Sequence, residues 1–219
     1  ENAEFRSFSN IAMNGTDIYV IDNNRIRVVD SVTGEVSVLS TTGADYNYIS
    51  KWTSDGTDIY FYSMEQEYVG GTNTNYYKLY RLTPEGVVSE LDLVDGSGAT
   101  YTIDSNIGGL FSDGTDLFVA KGYGNTQQIL HIVLETGTVT PYTIGGVTPN
   151  SVDNMYKMGD SLFAYSYDKI YEIELADNTT SAETWTSGST GVTKDLFGVA
   201  FGNDVFVTVG KDGKIFSSK

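Results

Sequence analysis

The chain has no cysteine, one histidine and only three prolines. Without thiols there is no disulfide framework and no thiolate metal site. With His131 as the sole imidazole, a multi-histidine zinc or copper centre is excluded as well. Cations are scarce: 13 Lys and Arg stand against 29 Asp and Glu, for a net charge of -16. Nucleic acid is bound mainly through cation contacts to phosphates, so it is excluded as a partner. An anionic membrane surface is excluded on the same ground. No apolar run approaches the roughly 20 residues of a membrane span, so no membrane insertion is expected. A chain of 219 residues buries about 70% of its unfolded surface and can form a core without staples.

What is present is a repeat. A turn carrying Gly and Asp, followed by an apolar run, occurs five times. It reads Asn14-Gly15-Thr16-Asp17 before Ile18-Tyr19-Val20, and Asp55-Gly56-Thr57-Asp58 before Ile59-Tyr60-Phe61-Tyr62. It returns as Asp113-Gly114-Thr115-Asp116 before Leu117-Phe118-Val119-Ala120, then as Gly159-Asp160-Ser161 before Leu162-Phe163-Ala164-Tyr165. The last copy is Gly202-Asn203-Asp204 before Val205-Phe206-Val207. The glycines are 41, 58, 45 and 43 residues apart, the period of propeller blades. In the first four units a second apolar run, a Gly- or Asn-bearing turn and a weaker third run follow, which makes four antiparallel strands per unit. Tyr, Val, Ile, Thr and Phe dominate, and no helical period of useful length is visible.

These patterns predict an all-β fold: a five-bladed β-propeller of four-stranded antiparallel blades. The approximate blades are 11–43, 49–95, 107–146, 152–190 and 195–219 plus 1–10, in one domain over 1–219. The fifth unit has three strands, and the segment Glu4-Phe5-Arg6-Ser7-Phe8 is expected to supply the fourth and close the ring, removing open edges.

The last unit, with Glu183-Thr184-Trp185, Leu196 to Gly210 and Gly213-Lys214-Ile215-Phe216-Ser217-Ser218, resembles repeats of sialidase-type (Asp-box) propellers. The middle units, with Val32-Thr33-Gly34-Glu35-Val36 and Glu135-Thr136-Gly137-Thr138-Val139, resemble NHL or surface-layer propeller repeats. Both resemblances imply a propeller; neither carries a function with it. Sialidase activity would require an arginine cluster gripping a carboxylate. Arg6, Arg25, Arg27 and Arg81 are scattered instead.

In such a fold the loops between the second and third strands, and between blades, share one face. Two of them are long, 63–76 and 95–108. Insertions gathered on one face mark a binding face. The candidate ligand-binding residues there are Asp45, Tyr46, Tyr48, Glu65, Glu67, Tyr68, Tyr101, Asp104, Tyr123 and Asn125. Tyrosine rings suit sugar rings and protein partners. The acids and amides suit hydroxyls, or a hard cation such as Ca²⁺ as the one conceivable cofactor. No catalytic residue is assigned. His131 sits in an apolar strand, and the repeated Asp55, Asp58, Asp113 and Asp116 read as turn residues. Asn14-Gly15-Thr16 and Asn178-Thr179-Thr180 match the glycosylation pattern.

The expected function is a non-enzymatic recognition module that binds a glycan or a protein through the long-loop face. The alternatives are a structural or assembly subunit of a fibre, surface layer or viral appendage, capable of self-assembly, and a glycan hydrolase with two opposed carboxylates. An acidic chain that opens at Glu1, rich in Tyr, Thr, Asn and Gly, fits an extracellular, cell-surface or virion protein. A halophilic source would explain the acidity equally well.

Overall fold

The computed structural model describes residues 8–22, 25–47, 49–122, 127–145, 151–158, 161–166, 169–174, 183–184, 186–189, 196–202, 205–210 and 214–217. All of its regular elements are strands, arranged as small sheets in a propeller-like succession. They fall into two compact units, residues 1–122 with 129–141, and residues 123–128 with 142–219.

The first unit holds three sheets. The first runs β1(Phe8–Asn14), β2(Asp17–Asp22), β3(Arg25–Asp30), β4(Val36–Val38). The second is built from β5(Thr42–Gly43), β6(Trp52–Ser54), β7(Ile59–Val69), β8(Thr72–Leu82) and β9(Val87–Glu90), in the order β5-β9-β8-β7-β6. The third begins with β10(Ile107–Ser112), β11(Asp116–Lys121), β12(Gln128–Val133) and β13(Thr138–Gly145). The first strands of the three sheets, β1, β6 and β10, are neighbours. The Asp-Gly turns work as their sequence suggests. The Asp55 carboxylate accepts the Thr57 and Asp58 amides at 2.7 Å each. Asp113 accepts those of Thr115 and Asp116 at 3.1 and 3.0 Å. In both cases a side chain completes the turn before the strand begins.

Two apolar clusters fill the spaces between these sheets. One joins Ala12, Tyr19, Ile21 and Ile26 of the first sheet to Trp52, Ile59, Phe61, Tyr80, Leu82 and Val88 of the second. The other joins Tyr60, Tyr62 and Leu79 to Ile103, Ile107, Leu110, Leu117, Val119, Leu130, Ile132 and Val139. Alternate residues of the inner halves of β7 and β8 therefore serve both neighbours, because Ile59-Tyr60-Phe61-Tyr62 is apolar on both faces. Each fully buried Leu, Ile or Phe contributes about 1.5–3 kcal/mol.

The segments between sheets are fixed to the sheet they lead into. Thr42 and Gly43 pair in parallel with Val87 and Val88, and the Thr42 amide donates to the Gly86 carbonyl at 2.9 Å. One blade later Val94 pairs in parallel with Thr138, and its amide donates to the Gly137 carbonyl at 3.0 Å. Gly86 and Gly137 are thus equivalent positions. A Cβ on Gly86 would lie 2.2 Å from the Ser40 carbonyl oxygen, and one on Gly137 would lie 2.0 Å from that of Asp92.

The second unit contains β14(Asn154–Met158), β15(Ser161–Ser166), β16(Lys169–Glu174) and β18(Thr186–Ser189) in one antiparallel sheet. The short β17(Glu183–Thr184) pairs in parallel with Ile144 and Gly145, which repeats the linking device a third time. The last sheet is β19(Leu196–Gly202), β20(Val205–Gly210), β21(Lys214–Ser217).

This corrects the expectation of five four-stranded blades. Four sheets have four or more strands, and the last has three among the described residues. The N-terminal segment expected to complete it is committed elsewhere from Phe8 onward, where Phe8 opposes Asp22 within the first sheet. Residues 1–7 lie outside the described residues, and no described pairing closes a ring.

A turn glycine and a linking glycine together make a test. Gly15 and Gly137 have similar positive φ, 59° and 68°, but Gly15 faces open space. Gly15→Ala is expected to cost about 1 kcal/mol for the left-handed backbone alone. Gly137→Ala adds the clash with Asp92 and is expected to cost roughly 2–5 kcal/mol in urea unfolding.

Candidate functional site

The 63–76 segment, expected to be a loop, is instead the outer half of a β-ribbon. β7 and β8 pair without interruption from Ile59↔Leu82 to Val69↔Thr72. Gly70 and Gly71, with φ of 61° and 90°, form the two-residue turn. Two consecutive positive φ values are what a tight hairpin needs, and Gly-Gly is the sequence signal for it. Residues 95–108 fold back as well. Asp95 caps a turn by accepting the Ser97 and Ala99 amides, Val94 bridges Thr100, and Ile103 bridges Tyr77 and is buried.

The ribbon separates two concavities. On one side is a groove of about 600 Å³ lined by Asp45, Tyr46, Asn47, Glu65, Gln66, Tyr76 and Lys78. On the other is a cavity of about 440 Å³ whose walls include Tyr77, Leu91, Leu93, Tyr101 and Ile103. Tyr76 and Lys78 border both.

Behind Tyr46, in the buried core, lies an aromatic cluster. Phe61 and Tyr80 stack at 5.2 Å with 16° between planes, and Tyr46 meets Phe61 edge-on at 5.1 Å. The Tyr80 hydroxyl donates to Glu65. Burial, and then this bond to Glu65, raise the Tyr80 phenol above its usual range, so it stays a donor. Lys78 Nζ lies 2.9 Å from Glu90 and 3.4 Å from the other Glu65 oxygen. The hydrogen bond to Glu90 leads the upward shift of its pKa. Because the raised value is the folded one, this contribution is complete at neutral pH and is lost only as pH rises through it. Glu65 is thereby held from two sides, and Gln66 donates to Asn75 at 3.1 Å.

Of the residues expected from sequence, Asp45, Tyr46 and Glu65 come together in the groove, and Tyr101 borders the second cavity. Asp104 joins neither lining. It accepts from Lys121 Nζ at 2.7 Å, and that ammonium lies 5.9 Å from the Tyr101 ring centroid. Tyr68 stands exposed near the ribbon tip, and Glu67 opposes Thr74 in the ribbon. Tyr48, Tyr123 and Asn125 lie outside the described residues. Asn47, Gln66, Tyr76 and Lys78 were missed. Once Gly70-Gly71 is read as a turn, Tyr76 falls opposite Glu65 and Lys78 opposite Ser63, so the signal was present.

The charged turn positions serve structure. Arg81 is bound to Asp58, and the Tyr60 hydroxyl donates to Asp55 at 2.8 Å. At the corresponding place in the third sheet, His131 Nε2 lies 2.8 Å from Asp116 and its ring stacks on Phe118 at 5.0 Å. Among the described residues no group of three or more acidic or histidine side chains could hold a metal ion. No helix of the described residues is long and apolar enough to cross a membrane.

Against known proteins, the family model described as "Repeat of unknown function (DUF6923)" matches residues 10–216. No curated protein matches the chain. Among solved structures it is similar to that titled "Structure of YjhT", at TM-score 0.60 and 10% identity, covering 94% of this chain and 72% of that one. It is similar to the extracellular domain of the hybrid two-component system BT4673 from B. thetaiotaomicron, at TM-score 0.60 and 15% identity. That match covers 100% of this chain and 28% of the other. An auxiliary nutrient binding protein from Bacteroides thetaiotaomicron VPI-5482 aligns at TM-score 0.56 and 12% identity, over 92% of this chain and 54% of that one. At these identities the likeness is one of fold, and the chain spans only part of each.

Two outcomes check the site. Tyr80→Phe removes a hydrogen bond to a charged group and is expected to cost about 1–3 kcal/mol of stability. Asp104 is held below the ordinary carboxylate range chiefly by its hydrogen bond to Lys121. The stabilisation is present above the unfolded value and lost as pH falls through the folded one. In a carboxyl NMR titration Lys121→Met should return Asp104 upward to the ordinary range.

Proposed function

The chain belongs to the DUF6923 repeat family, and we propose that it is a non-enzymatic extracellular recognition module whose ligand is a glycan. The observation that carries this reading is the groove beside the β7–β8 ribbon. Its volume falls within the range of small-ligand sites. Tyr46 and Tyr76 offer ring faces to the apolar side of a sugar, while Asn47, Gln66 and Asp45 offer planar polar groups to its hydroxyls. A protein loop is the other occupant that such a surface suits. The ribbon beside the groove is long and paired throughout, which gives the walls a rigid frame and lowers the ordering cost of binding.

The contacts of Glu65 support binding without turnover. A general acid or nucleophile must be free to reach the scissile bond. Glu65 is tied to Tyr80 and Lys78, an arrangement that suits an anchor. An extracellular place is supported by the likeness to an extracellular domain and to a nutrient binding protein, and by the acidic composition.

A glycan array followed by calorimetry tests the reading. Saturable binding of at least one glycan with no released product is expected. Tyr76→Ala should weaken it at least tenfold while leaving the melting temperature within a few degrees. Absence of binding across the array would contradict the glycan assignment, and appearance of shorter oligosaccharides would contradict binding without turnover.

A further inference from the structure

The two concavities beside the ribbon share a wall. Tyr76 and Lys78, two residues apart on β8, line both. Lys78 Nζ lies 3.4 Å from Glu65, which lines the groove, and 2.9 Å from Glu90, which lines the cavity. One ammonium therefore touches a wall of each. It carries three protons, and these two contacts leave one over. The Lys78 side chain is 36% exposed, so that proton is within a ligand's reach. Every residue of both linings belongs to the first unit.

The cavity offers the same chemistry as the groove. Buried Leu79 and Ile103 line it, with the partly buried rings of Tyr77 and Tyr101 beside them. Thr100 and Thr102 add exposed hydroxyls. Among the described residues no hydrogen bond engages the hydroxyls of these two tyrosines and two threonines. The charged groups of the two linings are Asp45, Glu65, Glu90 and Asp92 against Lys78, which is already bound to two of them. An anionic ligand would meet uncompensated like charge in both concavities. A neutral ligand with flat apolar faces and hydroxyls would meet rings and hydrogen-bonding groups in both.

We infer, resting on the glycan reading above, that the ligand is a neutral oligosaccharide that crosses β8 at Lys78. One sugar lies against Tyr46 and Tyr76 in the groove, and another against Tyr77 and Tyr101 in the cavity. The remaining Lys78 proton donates to an oxygen between them. A repeating ligand suits the arrangement, because both concavities present tyrosine rings together with uncharged polar groups. A single sugar would occupy only one of them. Once the first sugar is held, the second meets its wall as an intramolecular event. Affinity therefore grows with chain length, without a second loss of translational freedom.

Calorimetry with neutral ladders of glucose, mannose, galactose and xylose oligosaccharides, from about two to six sugars, reads the crossing. In at least one ladder the longest member is expected to bind at least tenfold tighter than the disaccharide. Thr102→Trp fills the cavity from an exposed position and removes no core contact; Tyr101→Ala removes a ring. Each should bring the longest member to within about twofold of the disaccharide, with disaccharide affinity and the circular dichroism spectrum unchanged. Equal affinity along every ladder that binds would overturn the inference and leave the glycan reading standing. So would a gain with length that Thr102→Trp retains. Tighter binding of oligouronates than of neutral chains of the same length would overturn the neutral assignment. No binding by any ladder or on the array would remove the glycan reading itself, and this inference with it.

Discussion

The constraint on which the structure depends is the docking of linking segments, three among the described residues, onto the outer edge of the sheet they enter. A four-stranded antiparallel sheet has exposed outer edges and two faces to cover. The parallel bridges at Thr42–Gly43, Val94 and Ile144–Gly145 answer the edge problem with the chain's own connections. They also set the spacing. Once Thr42 is bonded to Gly86, the first two sheets are close enough for Tyr19 and Ile21 to meet Phe61 and Tyr80. The backbones can come this close only where no Cβ intervenes, which is why glycine stands at 86 and 137.

The groove is a by-product of the same arrangement. The segment that leaves the bridge at Gly43 runs on through Asp45, Tyr46 and Asn47, so these residues arrive beside the ribbon. Their position depends on the link, while Glu65, Tyr76 and Lys78 depend on the ribbon register. A slip of one residue in that register would turn Tyr76 and Lys78 to the other face and put Tyr77 and Leu79 into the groove. The buried pairing of Phe61 with Tyr80 opposes such a slip.

The repeat made the blade-like sheets legible in the sequence, because turn chemistry and strand patterning are local. Asp55 and Asp113 could be assigned to turns from repetition alone, and their amide contacts agree. The boundaries were less legible. Residues 63–76 have enough polar side chains to look like a loop, yet Tyr68, Val69, Thr72, Thr74 and Tyr76 favour strand, and Gly70-Gly71 closes it. The groove was half legible. Tyr46 and Glu65 were named from their place in the chain, but their companions Tyr76 and Lys78 follow only from cross-strand register. The five-bladed count failed on a non-local matter, since Phe8 pairs within the first sheet.

Amide hydrogen exchange under native conditions measures the central claim most directly. If the links hold the sheets together, the amides of Thr42, Ala44, Val94 and Val139 should exchange as slowly as those of the central strands β2 and β11, through the same global opening. Exchange of these four at the rate of turn amides such as Ser97 and Ala99, while β2 and β11 stay protected, would show that the sheets stand without the links and would contradict the account.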